Sequence, residues 1–180
     1  MATTATMSGA AFDQLPYEEG RRWELLQGEL IDLPGATMEH QVIVTRLILS
    51  LGNYFDREAN GGAVPDVEFA LGEADRLRPD VAVLLGERWT TVDRKKTPIP
   101  VAPDIAVEVL SPSERFNDSL RKTRTYLATG VQEVWQVAAA TQEILIHRGS
   151  KSIAVLEVGD RLETPLLPDW GLDVREVFQP

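Results

Sequence analysis

The chain has 180 residues, 43% hydrophobic and 26% charged, a composition typical of one soluble globular domain. It has no cysteine and only 2 histidines, which excludes disulfides and zinc-thiolate sites and leaves carboxylates as the main candidates for binding a metal. The formal net charge of −10 argues against a broad basic surface for nucleic acid, although a local cluster such as Arg121, Lys122 and Arg124 can act alone.

The N-terminal segment, residues 1–11, is small and polar and lacks the basic and apolar regions of a signal peptide. We therefore predict a disordered leader over residues 1–11, followed by a single domain over residues 12–180. No apolar run in the sequence is long enough to span a bilayer. The sequence thus favours a cytoplasmic protein without membrane attachment.

Helical and strand patterns alternate along the chain. The clearest helix has apolar residues at helical spacing on one face, and two strands are almost continuously apolar, as in strands covered on both faces. In chain order we expect a helix at 12–20, strands at 22–26 and 29–33, a helix at 38–55, strands at 63–71 and 77–85, a polar loop at 87–103, a strand at 104–110, a helix at 118–129, strands at 132–138 and 143–148, a hairpin of 152–158 with 161–163, and a helix at 174–178. This order predicts an α/β domain with a mixed central β-sheet flanked by helices, in which the strand at 132–138 is central.

Glu108 is a charged residue inside an apolar strand. Because side chains alternate between the two faces of a strand, Glu108 shares its face with Ala106 and Leu110. A carboxylate there is unfavourable unless it is paired, protonated or bound to a metal. The pattern leaves two interpretations open: a glutamate satisfied by an arginine or a helix N-terminus, and an active-site acid.

Asp80 directly precedes the apolar stretch Val81–Leu85. Since Pro-Asp is common turn chemistry, Asp80 alone would indicate a turn residue. If the strands of Asp80 and Glu108 are antiparallel neighbours, however, both carboxylates meet on one side of the sheet. Two adjacent carboxylates repel each other unless a cation lies between them, so the pair predicts a Mg²⁺ or Mn²⁺ site that can activate water.

Lys122 lies on the helix predicted at 118–129, and Asp118 and Tyr126 share its face at four-residue spacing. One interpretation is a solvated Asp118–Lys122 pair; the other turns Lys122 inward, toward a scissile phosphate or an attacking water. The start of this helix is also open. Ser111, followed by proline, can cap it, whereas a later start near Asp118 would leave the Ser-Pro stretch as a turn at the site.

Glu29 and His40 carry weaker signals. Glu29 is an ordinary polar residue of a predicted strand, and His40 lies on the apolar face of the helix at 38–55. A lone histidine on such a face is more often a core residue than a ligand. From the residues alone, neither position is assigned to a site.

Five segments resemble one known family, in the same order along the chain. They are Glu24–Ile31, Glu39–Gln41, Arg78–Val83, Pro103–Ser113, and the run from Lys122 through Tyr126 to Trp135. Together they resemble the Uma-two family of restriction-endonuclease-like proteins, from Tyr17 to the C-terminus. The resemblance implies a restriction-endonuclease-like fold of the PD-(D/E)XK superfamily, which is an α/β domain with a mixed central sheet.

The resemblance also implies catalytic and metal-binding residues. Asp80 takes the Asp position of the superfamily motif, and Glu108 takes the D/E position. The chain departs from the motif at Leu110, where the superfamily usually has lysine. Lys122, on the following helix, is the candidate replacement.

Further family positions near the site are Glu29 and His40. The family implies a magnesium- or manganese-dependent endonuclease that hydrolyses phosphodiester bonds, with DNA as substrate and a homodimer that cuts both strands. Two other functions stay open, since a fold does not establish an activity. One is an inactive nuclease-like binding or assembly module, favoured by the acidic net charge; the other is a metal-dependent hydrolase of another phosphate ester.

Overall fold

A computed structural model describes residues 6–16, 18–33, 35–111, 115–149 and 151–179. In these ranges the helices are α1 (Gly9–Phe12), α2 (Met38–Phe55), α3 (Gly86–Thr91), α4 (Phe116–Ala128) and α5 (Val174–Phe178). The strands are β1 (Trp23–Leu26), β2 (Glu29–Asp32), β3 (Gly61–Pro65), β4 (Phe69–Ala70), β5 (Arg76–Leu77), β6 (Val81–Leu85), β7 (Ile105–Leu110), β8 (Glu133–Ala138), β9 (Glu143–His147), β10 (Ile153–Leu156), β11 (Arg161–Leu162) and β12 (Leu172–Asp173). None of the helices in these ranges combines the length and apolar character needed to cross a membrane.

A six-stranded mixed sheet forms the centre of the fold, in the order β10-β9-β8-β7-β6-β3. β7 and β8 are parallel, and the other neighbouring pairs are antiparallel. Parallel neighbours need a crossover connection, and α4 provides it between β7 and β8. The predicted mixed α/β sheet is confirmed, with the strand at 132–138 in its interior.

Helices α2 and α4 cover opposite faces of this sheet. Val83 and Val107 belong to one apolar core with Leu47 of α2. Ala106 belongs to a second core with Tyr126 of α4. Because side chains alternate along a strand, every second residue of β7, counted from Ala106, faces α4. Each Val or Leu side chain buried in such a core stabilises the fold by about 1.5–3 kcal/mol.

A smaller four-stranded sheet, in the order β2-β1-β5-β4, includes the N-terminal hairpin. Gln27 and Gly28 connect β1 to β2 with φ values of 54° and 78°, and two positive values are typical of the type I′ hairpin turn. Leu26 of β1 belongs to the same core as Tyr126 of α4. The predicted hairpin is confirmed, and it lies against α4.

The N-terminal segment is more ordered than predicted. α1 begins inside the leader expected for residues 1–11, so that expectation is wrong at its C-terminal end, while residues 1–5 lie outside the described ranges. Arg76 donates hydrogen bonds of 2.8 and 2.9 Å to Asp13, which tie the segment after α1 to β5. The helix expected at 12–20 is also wrong, because α1 ends where it was to begin.

Several strand predictions need correction because they depend on distant partners. The strand expected at 63–71 divides into β3 and β4, since the chain turns at Asp66, where φ is +55°. The strand expected at 77–85 is β6, preceded by the short β5. The hairpin expected between 152–158 and 161–163 does not form, because β10 pairs with β9 and β11 pairs with β12.

Two helix predictions change as well. α3 begins one residue before the segment 87–103 that was expected to be a polar loop and occupies its first five residues. α4 begins at Phe116, after an N-cap residue, Arg115, that makes no side-chain capping bond. The later helix start is therefore confirmed and the Ser111 cap is wrong; residues 112–114 lie outside the described ranges.

Candidate active site

Asp80 and Glu108 come together because β6 and β7 are antiparallel neighbours. Their register pairs Val81 with Val107, so the next residues outward, Asp80 and Glu108, lie opposite each other. The Val109 N–H donates a hydrogen bond of 2.7 Å to Asp80 Oδ2, which fixes the aspartate at the end of the strand. The antiparallel pairing on which the sequence analysis made this site depend is present, and it brings Asp80 and Glu108 to neighbouring positions on adjacent strands.

Glu108 faces α4, and α4 supplies both of its side-chain partners. Tyr126 Oη donates a hydrogen bond of 2.7 Å to Glu108 Oε1, and Lys122 Nζ donates one of 3.3 Å to Oε2. Burial raises the pKa of Glu108 from 4.5 to about 8; Lys122 opposes this rise, and the nearby carboxylates of Glu24 and Asp80 add to it. Glu108 is therefore paired with a lysine and a tyrosine. The sequence analysis had considered an arginine or a helix N-terminus in this role.

Lys122 points into the protein, as the functional interpretation of its helix requires. It is 5% exposed, and its Nζ lies 2.7 Å from Glu24 Oε2 as well as 3.3 Å from Glu108 Oε2. The neighbouring cations differ from it: Arg121 pairs with Glu29 and Asp118, and Arg124 is exposed. The three cations therefore do not form one basic cluster.

Glu24 is a site residue that the sequence analysis did not single out. It lies on β1 and is fully buried, and its Oε1 accepts a hydrogen bond of 2.7 Å from the Arg78 N–H. Its Oε2 lies 2.7 Å from Lys122 Nζ without hydrogen-bond geometry and has no hydrogen-bond partner among the residues that the structure describes. Glu24 shares one face of its strand with the apolar Leu26. A charged residue on an apolar strand face is also the signal that singled out Glu108.

Glu29 and His40 occupy different parts of the site. The Glu29 side chain is 56% exposed and pairs with Arg121 at 2.8 Å, so it lies at the rim. His40 is in the first turn of α2, and its Nε2 lies 3.2 Å from Asp80 Oδ1. This hydrogen bond with Asp80 raises the pKa of His40. His40 is thus a direct neighbour of Asp80, and not only a residue of the helix core.

These side chains border a cleft of about 810 Å³. Asp80, Glu108, Lys122, His40 and Glu29 all line it. The cleft runs between the N-terminal turn of α2, the β1–β2 hairpin and the ends of β7 and β8. Leu110, at the position where the superfamily motif has lysine, is part of its wall.

Asp80 and Glu108 are the carboxylates of the cleft that could hold a divalent metal. Within the described ranges, no three His, Asp or Glu side chains are grouped closely enough to hold an ion. Mg²⁺, however, is often held by one or two carboxylates. Asp80 and Glu108 are two such groups at an open cleft. The residues therefore fit a hard cation held by Asp80 and Glu108.

The mixed sheet with helices on both faces is a restriction-endonuclease-like α/β fold. The fold is similar to a crystal structure from Anabaena variabilis of a “putative nuclease belonging to DUF820”, with a TM-score of 0.85 and 19% identity over 96% of this chain and 97% of that chain. At this identity the likeness shows the fold, and it confirms the fold class predicted from the sequence.

The family model Uma2, described as “Putative restriction endonuclease”, matches residues 10–175. The chain therefore belongs to this family, which confirms the resemblance seen in the sequence. An uncharacterized protein of Synechocystis sp. is 30% identical over 86% of this chain and 86% of its own length.

Proposed function

We propose that this chain is a metal-dependent endonuclease that hydrolyses phosphodiester bonds, with DNA as its substrate. The observation that carries the proposal is the position of Lys122, whose buried amine lies 3.3 Å from Glu108 in the cleft that Asp80 also lines. Two acids on adjacent strands and a lysine from the next helix supply the charges that phosphodiester hydrolysis needs. Membership in a family described as restriction endonucleases supports the same reaction.

Asp80 and Glu108 would hold the metal, Mg²⁺ or Mn²⁺. When bound, the ion supplies positive charge to the phosphate and lowers the pKa of a water molecule. The Val109 N–H and His40 orient Asp80, and Tyr126 orients Glu108. These contacts fix both carboxylates before substrate arrives, so little reorganisation is needed during the reaction.

Besides the metal ion, Lys122 supplies a positive charge to the site. Glu24 and Glu108 both contact its ammonium group and keep it at the cleft. A phosphate entering the cleft would meet this buried charge, and a charge with little solvent around it stabilises a transition state strongly. Arg22, Arg78 and Arg115 also line the cleft and can contact neighbouring phosphates despite the net charge of −10.

The test is cleavage of plasmid DNA, single-stranded DNA and RNA with Mg²⁺ or Mn²⁺, compared with EDTA. We expect metal-dependent cleavage of DNA by the wild type, and losses of at least about a hundredfold in Asp80→Ala and Lys122→Met. Arg124→Met is the matched control, because it removes an exposed cation from the same helix.

A folded wild type that cleaves none of these substrates would overturn the proposal and favour the inactive binding or assembly module. Cleavage of small phosphate esters alone would favour the other hydrolase. Equal, modest losses in Lys122→Met and Arg124→Met, with the same change in salt dependence, would reduce Lys122 to a charge that attracts phosphate.

A further inference from the structure

β10 is an edge strand of the central sheet, hydrogen-bonded to β9 on one side. The Arg148 N–H donates a hydrogen bond of 2.9 Å to the Ser152 carbonyl. This bond shows which residues of β10 direct their backbone groups toward β9. Backbone groups alternate in direction along a strand, so those of Ala154 and Leu156 face β9. The N–H and C=O groups of Ile153 and Val155 therefore point away from the sheet, toward its free edge.

The same strand exposes apolar side chains. Among the described residues, seven large apolar side chains are exposed, and three of them lie on or just after β10: Ile153 at 58%, Val155 at 52% and Val158 at 42%. Edge strands are normally protected by proline, by charged residues within the strand or by a covering element. The opposite edge strand, β3, ends in Pro65 and contacts α2 and α3, whereas β10 is entirely apolar.

We infer that two copies of this chain associate through β10, with the two strands antiparallel and the pairing centred on Ala154. Ile153 of each copy then lies opposite Val155 of the other, and both residues have the outward backbone groups that such a pair exchanges. Two six-stranded sheets become one sheet of twelve. This assembly goes beyond the proposed endonuclease function, and it does not depend on the cleft being active.

Charge complementarity selects a second copy as the occupant and Ala154 as the centre. In this register, the exposed Lys151 lies opposite the exposed Glu157 of the other copy, and the contact occurs twice by symmetry. Asp160 adds a second carboxylate there, because its Oδ2 accepts a hydrogen bond of 2.8 Å from the Glu157 N–H. Pairing displaced by two residues in either direction would lose the Lys151–Glu157 contacts.

The first experiment measures molecular mass by light scattering and sedimentation equilibrium across a range of protein concentrations. The wild type should be a dimer, and Val155→Pro should be a monomer, because proline removes an N–H that faces the second copy and not β9. Ile153→Lys should give the same result by placing a charge in the apolar contact. Circular dichroism and thermal melts establish that each variant folds, and Leu49→Lys, on α2, is the control for an exposed apolar residue.

The second experiment exchanges the charges. Lys151→Glu and Glu157→Lys should each weaken the dimer by roughly tenfold or more, since two attractive contacts become repulsive. A mixture of these two variants should form a heterodimer of near wild-type affinity, and the double variant should dimerise with itself. Lys95→Glu makes the same charge change in an exposed loop and should leave the dimer intact.

A wild type that is monomeric at every concentration would overturn the inference. So would a dimer that survives both Val155→Pro and Ile153→Lys. If the β10 variants are monomeric but the mixed charge variants fail to associate, the pairing centred on Ala154 is wrong.

Discussion

Glu108→Gln should make the metal-free protein more stable at neutral pH. The pKa of Glu108 rises from 4.5 to about 8, chiefly because the side chain is buried. At pH 7 the unfolded chain is ionised at this position, and the folded chain mostly is not. The 2.5 pH units between 4.5 and 7, at about 1.36 kcal/mol per unit, correspond to roughly 3 kcal/mol of lost stability. Glutamine has a similar shape and carries no charge, so it removes this penalty.

The effect depends on pH in a defined direction. Because the pKa is raised in the folded state, the stabilising contribution of Glu108 is complete below pH 4.5 and is lost as the pH rises through about 8. The difference in stability between Glu108→Gln and the wild type should therefore widen over this interval. Urea melts in EDTA at a series of pH values measure it, with the exposed Glu176→Gln as a control that should change stability by about 0.5 kcal/mol or less.

A Glu108→Gln variant clearly less stable than the wild type at pH 7 would contradict this prediction. That result would mean that Glu108 is ionised in the folded protein and that Lys122 and Tyr126 outweigh the cost of its burial.

Two further predictions concern metal binding and the buried His147. Calorimetric titration with Mn²⁺ should show binding to the wild type and a large loss in Asp80→Ala and in Glu108→Ala; unchanged binding in both variants would contradict the metal assignment. His147 Nε2–H donates a hydrogen bond of 2.8 Å to Gln136 Oε1, and burial lowers the pKa of His147 below 6.5. Its stabilising contribution is therefore complete above pH 6.5 and declines as the pH falls, so urea melts should show the advantage of the wild type over His147→Gln shrinking between pH 7 and pH 5. An advantage that grows on acidification would mean that His147 is charged in the folded state.

Elements set by local pattern were predictable from the sequence. The helix expected at 38–55 has those bounds in the structure, because its apolar spacing is regular and Thr37 caps it by accepting a hydrogen bond from the His40 N–H. Asp80 and Glu108 were also identifiable, since both flank or interrupt strongly apolar strands, although their juxtaposition depended on the antiparallel pairing that the structure shows. Here the local signal and the final structure agree.

Features that depend on distant partners were not predictable. Glu24 is held by the Arg78 N–H, 54 residues away, and by Lys122 on the crossover helix α4, so local sequence shows only a polar residue in a hairpin. Glu29 lies on the same hairpin, but its side chain is at the rim of the cleft, and local sequence does not distinguish these two glutamates. β10 is a third case. Its strand pattern was visible in the sequence, but its pairing with β9 was not.

In the proposed site the lysine beside Glu108 comes from α4 and not from β7, so the proposal gives Leu110 no catalytic role. Leu110 belongs to the wall of the cleft, yet the amine that contacts Glu108 comes from a different element. Evolution can therefore reshape this part of the wall, by size or by polarity, without moving the reactive charge. Under the proposed function, Leu110 is therefore an adjustable contact with substrate, close to the two carboxylates proposed to hold the metal.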